Sequence, residues 1–347
     1  MDINWFRRIL SIDSSSGRER EMGECLAGFL STPANKVETY EVGDGTLNVF
    51  AKWGEPRFVF CTHCDTVPPY IPPAFEDISA GASLPGGGTA ACNDTLITGR
   101  GTCDAKGQIF SMFEACKMLE AEGCRDFGLL VLAGEETGSF GAKAYTRDCP
   151  GAETVIVGEP TDGKMVRASK GTKSFGVKIK GRPCHSGYPH LGESAVEKFV
   201  DFCNCLKAID FPEDPVLGPT TWNIGLLRSD NPQNILSPEV GFRLYFRTTF
   251  ASDELVCSLM EKMAREDVEI TPFGGDTPME YFIVEGLPVT TVSFGSDAPR
   301  LERFSRRALC GPGSIAVAHT DKEYILLSDI EKAVSQYVKI FHLCMDC

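Results

Sequence analysis

Two histidines and five carboxylates stand just beyond apolar runs, or beside a glycine-rich turn, in the order His63, Asp65, Asp104, Glu135, Glu136, Glu159 and His319. Residues 57–62 lead directly into His63 and Asp65. Residues 127–133 lead into Glu135 and Glu136, 154–157 into Glu159, and 314–318 into His319. Asp104 sits in Gly99-Arg100-Gly101-Thr102-Cys103-Asp104-Ala105-Lys106-Gly107. Clustered buried carboxylates repel one another, so they must take up protons or gather cations. Imidazole mixed with carboxylate suits zinc or a similar transition metal better than calcium, which prefers all-oxygen shells. In His63-Cys64-Asp65 the alternation of a strand places imidazole and carboxylate on one face. Asp65 can then accept the second ring N–H of a metal-bound His63.

The elements that must position these groups are readable from periodicity. Short, wholly apolar runs at 58–62, 127–133 and 154–157 alternate with helical patterns such as 106–122. That alternation predicts a doubly wound, mostly parallel α/β sheet covered on both faces. In such a sheet the ligand crevice lies outside the carboxyl ends of the strands. Ser16-Gly17-Arg18-Glu19 reads as a capping box ahead of a helix, residues 46–53 as a strand, and 68–88 as a Pro/Gly-rich loop. Near Ser169 the pattern changes. Strand 174–181, helix 192–209, strands 221–227 and 239–248, helix 252–265 and strand 267–271 follow in β-α-β-β-α-β order, an α+β open-faced sandwich of ferredoxin-like type. From about Leu287 the first pattern resumes, with a strand at 288–294, a helix at 297–304, a strand at 314–318 and a helix from Ser328. The expected organisation is a metal-binding domain of residues 1–169 and 286–347 interrupted by an inserted lid domain, 170–285.

Composition narrows the partners. The net charge of -14 repels phosphate backbones and anionic lipid, so neither nucleic acid nor a membrane surface is expected as a partner. No apolar run approaches the roughly 18 residues of a membrane span. The amphipathic start, Met1 to Arg8, lacks the features of a secretory signal. The 15 cysteines include Cys25, Cys116 and Cys203 within predicted helices. They read as reduced thiols of a cytoplasmic protein rather than a disulfide framework.

Five segments occur in a fixed order: His63-Cys-Asp-Thr-Val-Pro-Pro69, Gly101-Thr-Cys-Asp-Ala-Lys-Gly107, Gly134-Glu-Glu-Thr-Gly-Ser139, Gly158-Glu-Pro-Thr161 and Ala318-His-Thr-Asp-Lys-Glu323. With them, nearly the whole chain resembles the acetylornithine deacetylase and succinyl-diaminopimelate desuccinylase family of dinuclear zinc metallopeptidases. The resemblance implies two divalent ions, zinc or cobalt, bridged by Asp104. His63 and Glu159 would complete one site, Glu136 and His319 the other, and Glu135 would be the general base on a metal-bridging water. It further implies a cis peptide after Asp104. In the inserted domain, Arg182-Pro-Cys-His185-Ser-Gly resembles the segment whose histidine reaches the neighbouring subunit of a homodimer and supports the oxyanion. The edge for that pairing is expected on strand 174–181. Asn234 and Arg247 resemble substrate-binding residues, Arg247 for a carboxylate. Gly295-Ser-Asp297-Ala and Gly311-Pro-Gly resemble loops that line the substrate pocket. The implied reaction is deacylation of a small N-acyl amino acid, acetylornithine or acetylcitrulline in arginine biosynthesis. Desuccinylation, or dipeptidase or carboxypeptidase cleavage, are the alternatives.

Two rival readings have their own features. Cys61-Thr-His-Cys64 and Cys344-Met-Asp-Cys347 could be redox pairs or half of a structural zinc site. A redox pair normally opens a helix, whereas Cys61 lies inside an apolar strand, so the first pair reads as structural. A non-catalytic binding relative should lack Glu135 or a ligand, and all are present.

Overall fold

The computed structural model describes residues 1–43 and 45–345; Cys347, one half of the second cysteine pair, lies outside them. The chain divides into two compact units. One comprises Met1–Arg167, Tyr281–Thr290 and Ser296–Cys347, the other Ala168–Glu280 and Thr291–Gly295.

The first unit contains α1 (Ile3–Leu10), α2 (Arg20–Phe29), β1 (Lys36–Gly43), β2 (Thr46–Trp53), β3 (Phe58–His63), β4 (Ala74–Ile78), β5 (Asp94–Thr98), α3 (Lys106–Ala121), β6 (Phe127–Leu132), α4 (Phe140–Asp148), β7 (Thr154–Val157) and the start of β8 (Met165–Ser169). The second holds β9 (Gly171–Lys180), α5 (Ala195–Lys207), β10 (Thr221–Arg228), β11 (Glu239–Thr248), α6 (Asp253–Met263), β12 (Val268–Gly274) and β13 (Met279–Glu280). After β14 (Val289–Val292), β15 (Arg306–Leu309), β16 (Tyr324–Leu326) and α7 (Leu327–Met345) complete the first unit.

The main sheet of the first unit has the order β1-β2-β6-β3-β7-β15. Its four strands β6, β3, β7 and β15 are parallel, and β1 and β2 add an antiparallel edge. β3, β6 and β7 are buried at every residue, as an apolar run with helices on both faces must be. The two faces can be told apart on β2. Phe50 meets Tyr145 of α4, whereas Trp53 stacks on Phe127, which meets Phe341 of α7. Residues 50 and 53 point to opposite faces of a strand, so α4 and α7 cover opposite sides.

In the second unit an antiparallel sheet of order β10-β11-β9-β12 carries α5 and α6. β11 alternates buried and half-buried residues along its length. Its buried Val240, Phe242, Leu244 and Phe246 pack with Ala195, Phe202, Leu206, Val256 and Met260 from the two helices. β9 is paired on both sides. The expectation that strand 174–181 offers an edge is therefore corrected: the edges are β10 and β12.

Other local expectations change as well. Ser16 does not cap a helix: α2 starts at Arg20 after Glu19, which makes no side-chain cap bond. Residues 297–304 give only a single 3-10 turn, Ala298–Arg300, with Pro299 inside it. Residues 314–318 form turns, not a strand. Loop 68–88 contains β4. β1 and β15 were not expected, because Lys36–Gly43 is mostly polar and β15 opens with Arg306 and Arg307.

Candidate metal centre

Adjacent parallel strands β6, β3 and β7 end at Leu132, His63 and Val157. The residues just past them therefore converge. Gly134, at φ 68°, makes the turn that a side-chain-bearing residue resists, and it throws Glu135 and Glu136 back across the end of β3. Asp65 fixes that turn: its Oδ1 accepts from the Glu135 N–H at 3.0 Å and its Oδ2 from the Glu136 N–H at 3.1 Å. Ser16 Oγ donates to the same Oδ2 at 2.9 Å, which is where the hydroxyl goes instead of capping α2. Asn48 of β2 holds the far side of the turn, accepting from Ala133 N–H and donating to Gly141 O. His63 Nδ1 lies 3.0 Å from the Asp65 carbonyl oxygen and 3.4 Å from its carboxylate. The partner expected from alternation is present, but the backbone carbonyl is the nearer one.

Asp104 precedes α3, and its peptide to Ala105 is cis, as the resemblance implies. Glu323 Oε1 accepts from the N–H groups of both Cys103 and Asp104, each at 3.2 Å. Its Oε2 takes a 2.6 Å bond from Arg100, and Arg100 also donates to Thr320 O. Arg100 and Glu323 are both buried. This ion pair ties the start of α3 to the loop that carries His319. His319 itself has φ 62°, a left-handed backbone uncommon outside glycine and found disproportionately at functional sites.

The side chains meet around Asp104. Its Oδ1 is 3.1 Å from His63 Nε2, and its Oδ2 is 3.3 Å from His319 Nε2. His319 Nε2 is 2.9 Å from Glu136 Oε1. Ligand atoms of His63, Asp104 and Glu159 lie within 4.8 Å of one another, and so do those of Asp104, Glu136 and His319. The first set is buried, whereas half of the His319 side chain is exposed. One set is thus sealed and the other opens to solvent.

The electrostatics explain what such a cluster needs. Burial pushes Glu135 and Glu159 well above the usual carboxylate range, opposed by His63 and reinforced by neighbouring carboxylates. Burial likewise lifts Asp297 to about 6. Asp104 is buried too, yet its hydrogen bonds to His319 and His63 hold it well below the ordinary value. His319 is lifted to about 10 by Asp104 and Glu136. Among the described residues, Glu159 Oε1 and Asp297 Oδ1 are buried without a hydrogen-bond partner. An excess of buried negative charge, two orphaned carboxylate oxygens and nitrogen donors among them fit divalent cations of the zinc type. Sequence reasoning missed Arg100 and Asn48, read Ser16 as a helix cap, placed Asp297 only within a pocket-lining loop, and left Glu323 without a role. Glu323 stood inside a recognised segment, but nothing in its spacing pointed to Arg100.

The remaining candidates belong to the second unit. His185 is exposed, and its Nδ1 accepts from Gly187 N–H at 3.1 Å. His185 bridges to Ile235, and Ser186 N–H donates to Asn234 O at 2.8 Å. The His185 and Asn234 segments are therefore neighbours. Arg247, half-buried on β11, lies with its guanidinium 5.0 Å from the Tyr245 ring centroid. Cys61 and Cys64 are buried thiols in the core, and burial pushes both upward in pKa, which suits packing rather than redox exchange.

A sequence model described as Peptidase family M20/M25/M40 matches residues 59–342. A probable carboxypeptidase of Aspergillus clavatus is 33% identical over 363 residues, covering 96% of this chain and 86% of that protein. Among solved structures, a tripeptidase from Staphylococcus aureus superposes with a TM-score of 0.78 at 19% identity, covering 97% of this chain and 96% of its own. An M20 family metallo-carboxypeptidase from Sulfolobus solfataricus gives 0.72 at 17% identity, covering 99% of each chain.

Proposed function

This chain belongs to peptidase family M20/M25/M40 and is a metal-dependent hydrolase of amide bonds, and we propose that it releases an amino acid bearing a free α-carboxylate from an N-acyl amino acid or short peptide. The observation that carries the reading is the pair of ligand sets that share Asp104. His63, Asp104 and Glu159 would hold one ion and Asp104, Glu136 and His319 a second, with zinc preferred and cobalt the alternative. Ions held there would polarise the scissile carbonyl and acidify the attacking water.

The chain's own residues do the rest. Glu135, placed by Asp65 through its backbone N–H, accepts the water's proton on its carboxylate and returns it to the leaving amine. Glu136, one residue on, is a ligand rather than a base. Arg247 pairs with the substrate carboxylate, and Asn234 contributes to substrate binding. His185 supplies a hydrogen bond to the oxygen that gains charge in the transition state. By the family resemblance it does so from the other subunit of a homodimer formed through the second unit, for which β10 and β12 are the available edges.

The name of the Aspergillus relative favours carboxypeptidase cleavage. Deacetylation of acetylornithine or acetylcitrulline, and the desuccinylation of related compounds, are narrower readings within the same chemistry. Zinc-loaded protein should be assayed against N-acetyl and N-succinyl amino acids, those two arginine precursors, and di- and tripeptides with free or amidated carboxyl ends. Hydrolysis confined to substrates with a free carboxylate is the expected result. Equal rates on amidated substrates would overturn the proposed specificity.

A further inference from the structure

The C-terminal end of α3, opposite the end that Asp104 precedes, and the last turn of α7 bring together a second set of metal-ligating side chains. Glu122 is the C-cap of α3, and its N–H bonds Met118 O at 3.0 Å. Gly123 follows at φ 82°. Its N–H bonds Glu120 O at 3.0 Å, and the Cys124 N–H reaches back to Leu119 O at 2.9 Å. This pair of bonds closes a helix end firmly, so the backbone that presents Glu122 and Cys124 is fixed. α7 packs along α3 and brings His342 to the same place: its Nε2 is 2.8 Å from Glu122 Oε2. Ligand atoms of Glu122, Cys124 and His342 all lie within 4.8 Å of one another.

We propose that Glu122, Cys124 and His342 form a peripheral binding site for a zinc-type cation. Thiolate, imidazole and carboxylate together select a borderline-soft transition ion over calcium or magnesium, which take oxygen shells. Tetrahedral bonds of about 2.0–2.3 Å put ligand atoms roughly 3.3–3.6 Å apart, so these three need to shift only slightly to share one ion. An ion pair with Glu122 also leaves part of the imidazole unexplained, because His342 Nδ1 is buried with no hydrogen-bond partner among the described residues. A bound ion cross-links positions 220 residues apart in sequence and clips the end of α3 to the end of α7. Three protein ligands leave a fourth position for water.

The two kinds of site can be told apart because the ligands proposed around Asp104 include no sulfur. Cobalt(II)-loaded full-length protein should show a near-ultraviolet thiolate-to-cobalt charge-transfer band. Cys124→Ser should abolish the band, and His342→Ala should abolish or shift it. Each variant should bind one cobalt fewer per chain while hydrolysis proceeds at the wild-type rate. No band in the wild-type protein overturns the proposal. So does a band that survives both substitutions, which would assign the cobalt to other thiols, Cys344 and Cys347 first among them.

Discussion

Asp65 accepts from two consecutive backbone N–H groups, from the Ser16 hydroxyl and, at longer range, from His63. These contacts hold its carboxyl below the ordinary range against the cost of burial. It is a positioning residue for both members of the Glu135–Glu136 pair. Asp65→Ala should therefore lower metal affinity or activity by about 10–100-fold, the usual cost of losing an outer partner of a metal ligand. Titration of zinc binding beside a kcat measurement would separate the two effects. The neighbouring glutamates should differ from each other. Glu135→Ala should keep its metal while kcat falls by at least about 10²-fold, whereas Glu136→Ala should lose metal. Metal analysis of both purified variants checks this, and identical metal loss would mean the pair has been assigned wrongly. Residue types and strand ends made these side chains legible in the sequence. The full set of contacts that holds Asp65 was not, since it depends on Ser16, 49 positions away.

At the scale of elements, the parallel strands were legible because burial on both faces forces an unbroken apolar run. The pieces that failed lacked such a signature. His319 is delivered not by a strand at 314–318 but by a turn, which Glu323 and Arg100 brace from below. A left-handed histidine leaves no periodicity to read. Arg100 and Glu323 are buried together, and removal of one leaves an uncompensated charge. Arg100→Ala should destabilise the fold by about 3–5 kcal/mol, visible as a lowered midpoint in denaturant unfolding. The double variant Arg100→Met with Glu323→Leu should recover part of that loss while still misplacing Asp104, whose N–H bonds Glu323. A double variant with full activity would show that the brace is not needed.

For the whole molecule, a change of pattern near Ser169 suggests an insertion, and the second unit begins at Ala168. Residues 291–295 also group with that unit, which five residues without periodicity could not signal. β9 read as an edge because its residues alternate, but alternation reports a half-buried face and says nothing of pairing on either side. The proposed dimer makes a prediction at this scale. His185→Ala and Glu135→Ala chains should each be nearly inactive, yet mixing them under subunit exchange should restore part of the activity. No recovery, with heterodimers demonstrably formed, would place the oxyanion donor within a single chain. Asp104 is the one ligand common to the two proposed cations, and the direct measurement is metal content per chain in wild-type protein and in Asp104→Asn, with folding checked by circular dichroism. The predicted difference is about two zinc equivalents together with loss of hydrolysis; a folded variant that loses only one ion, or none, would contradict it.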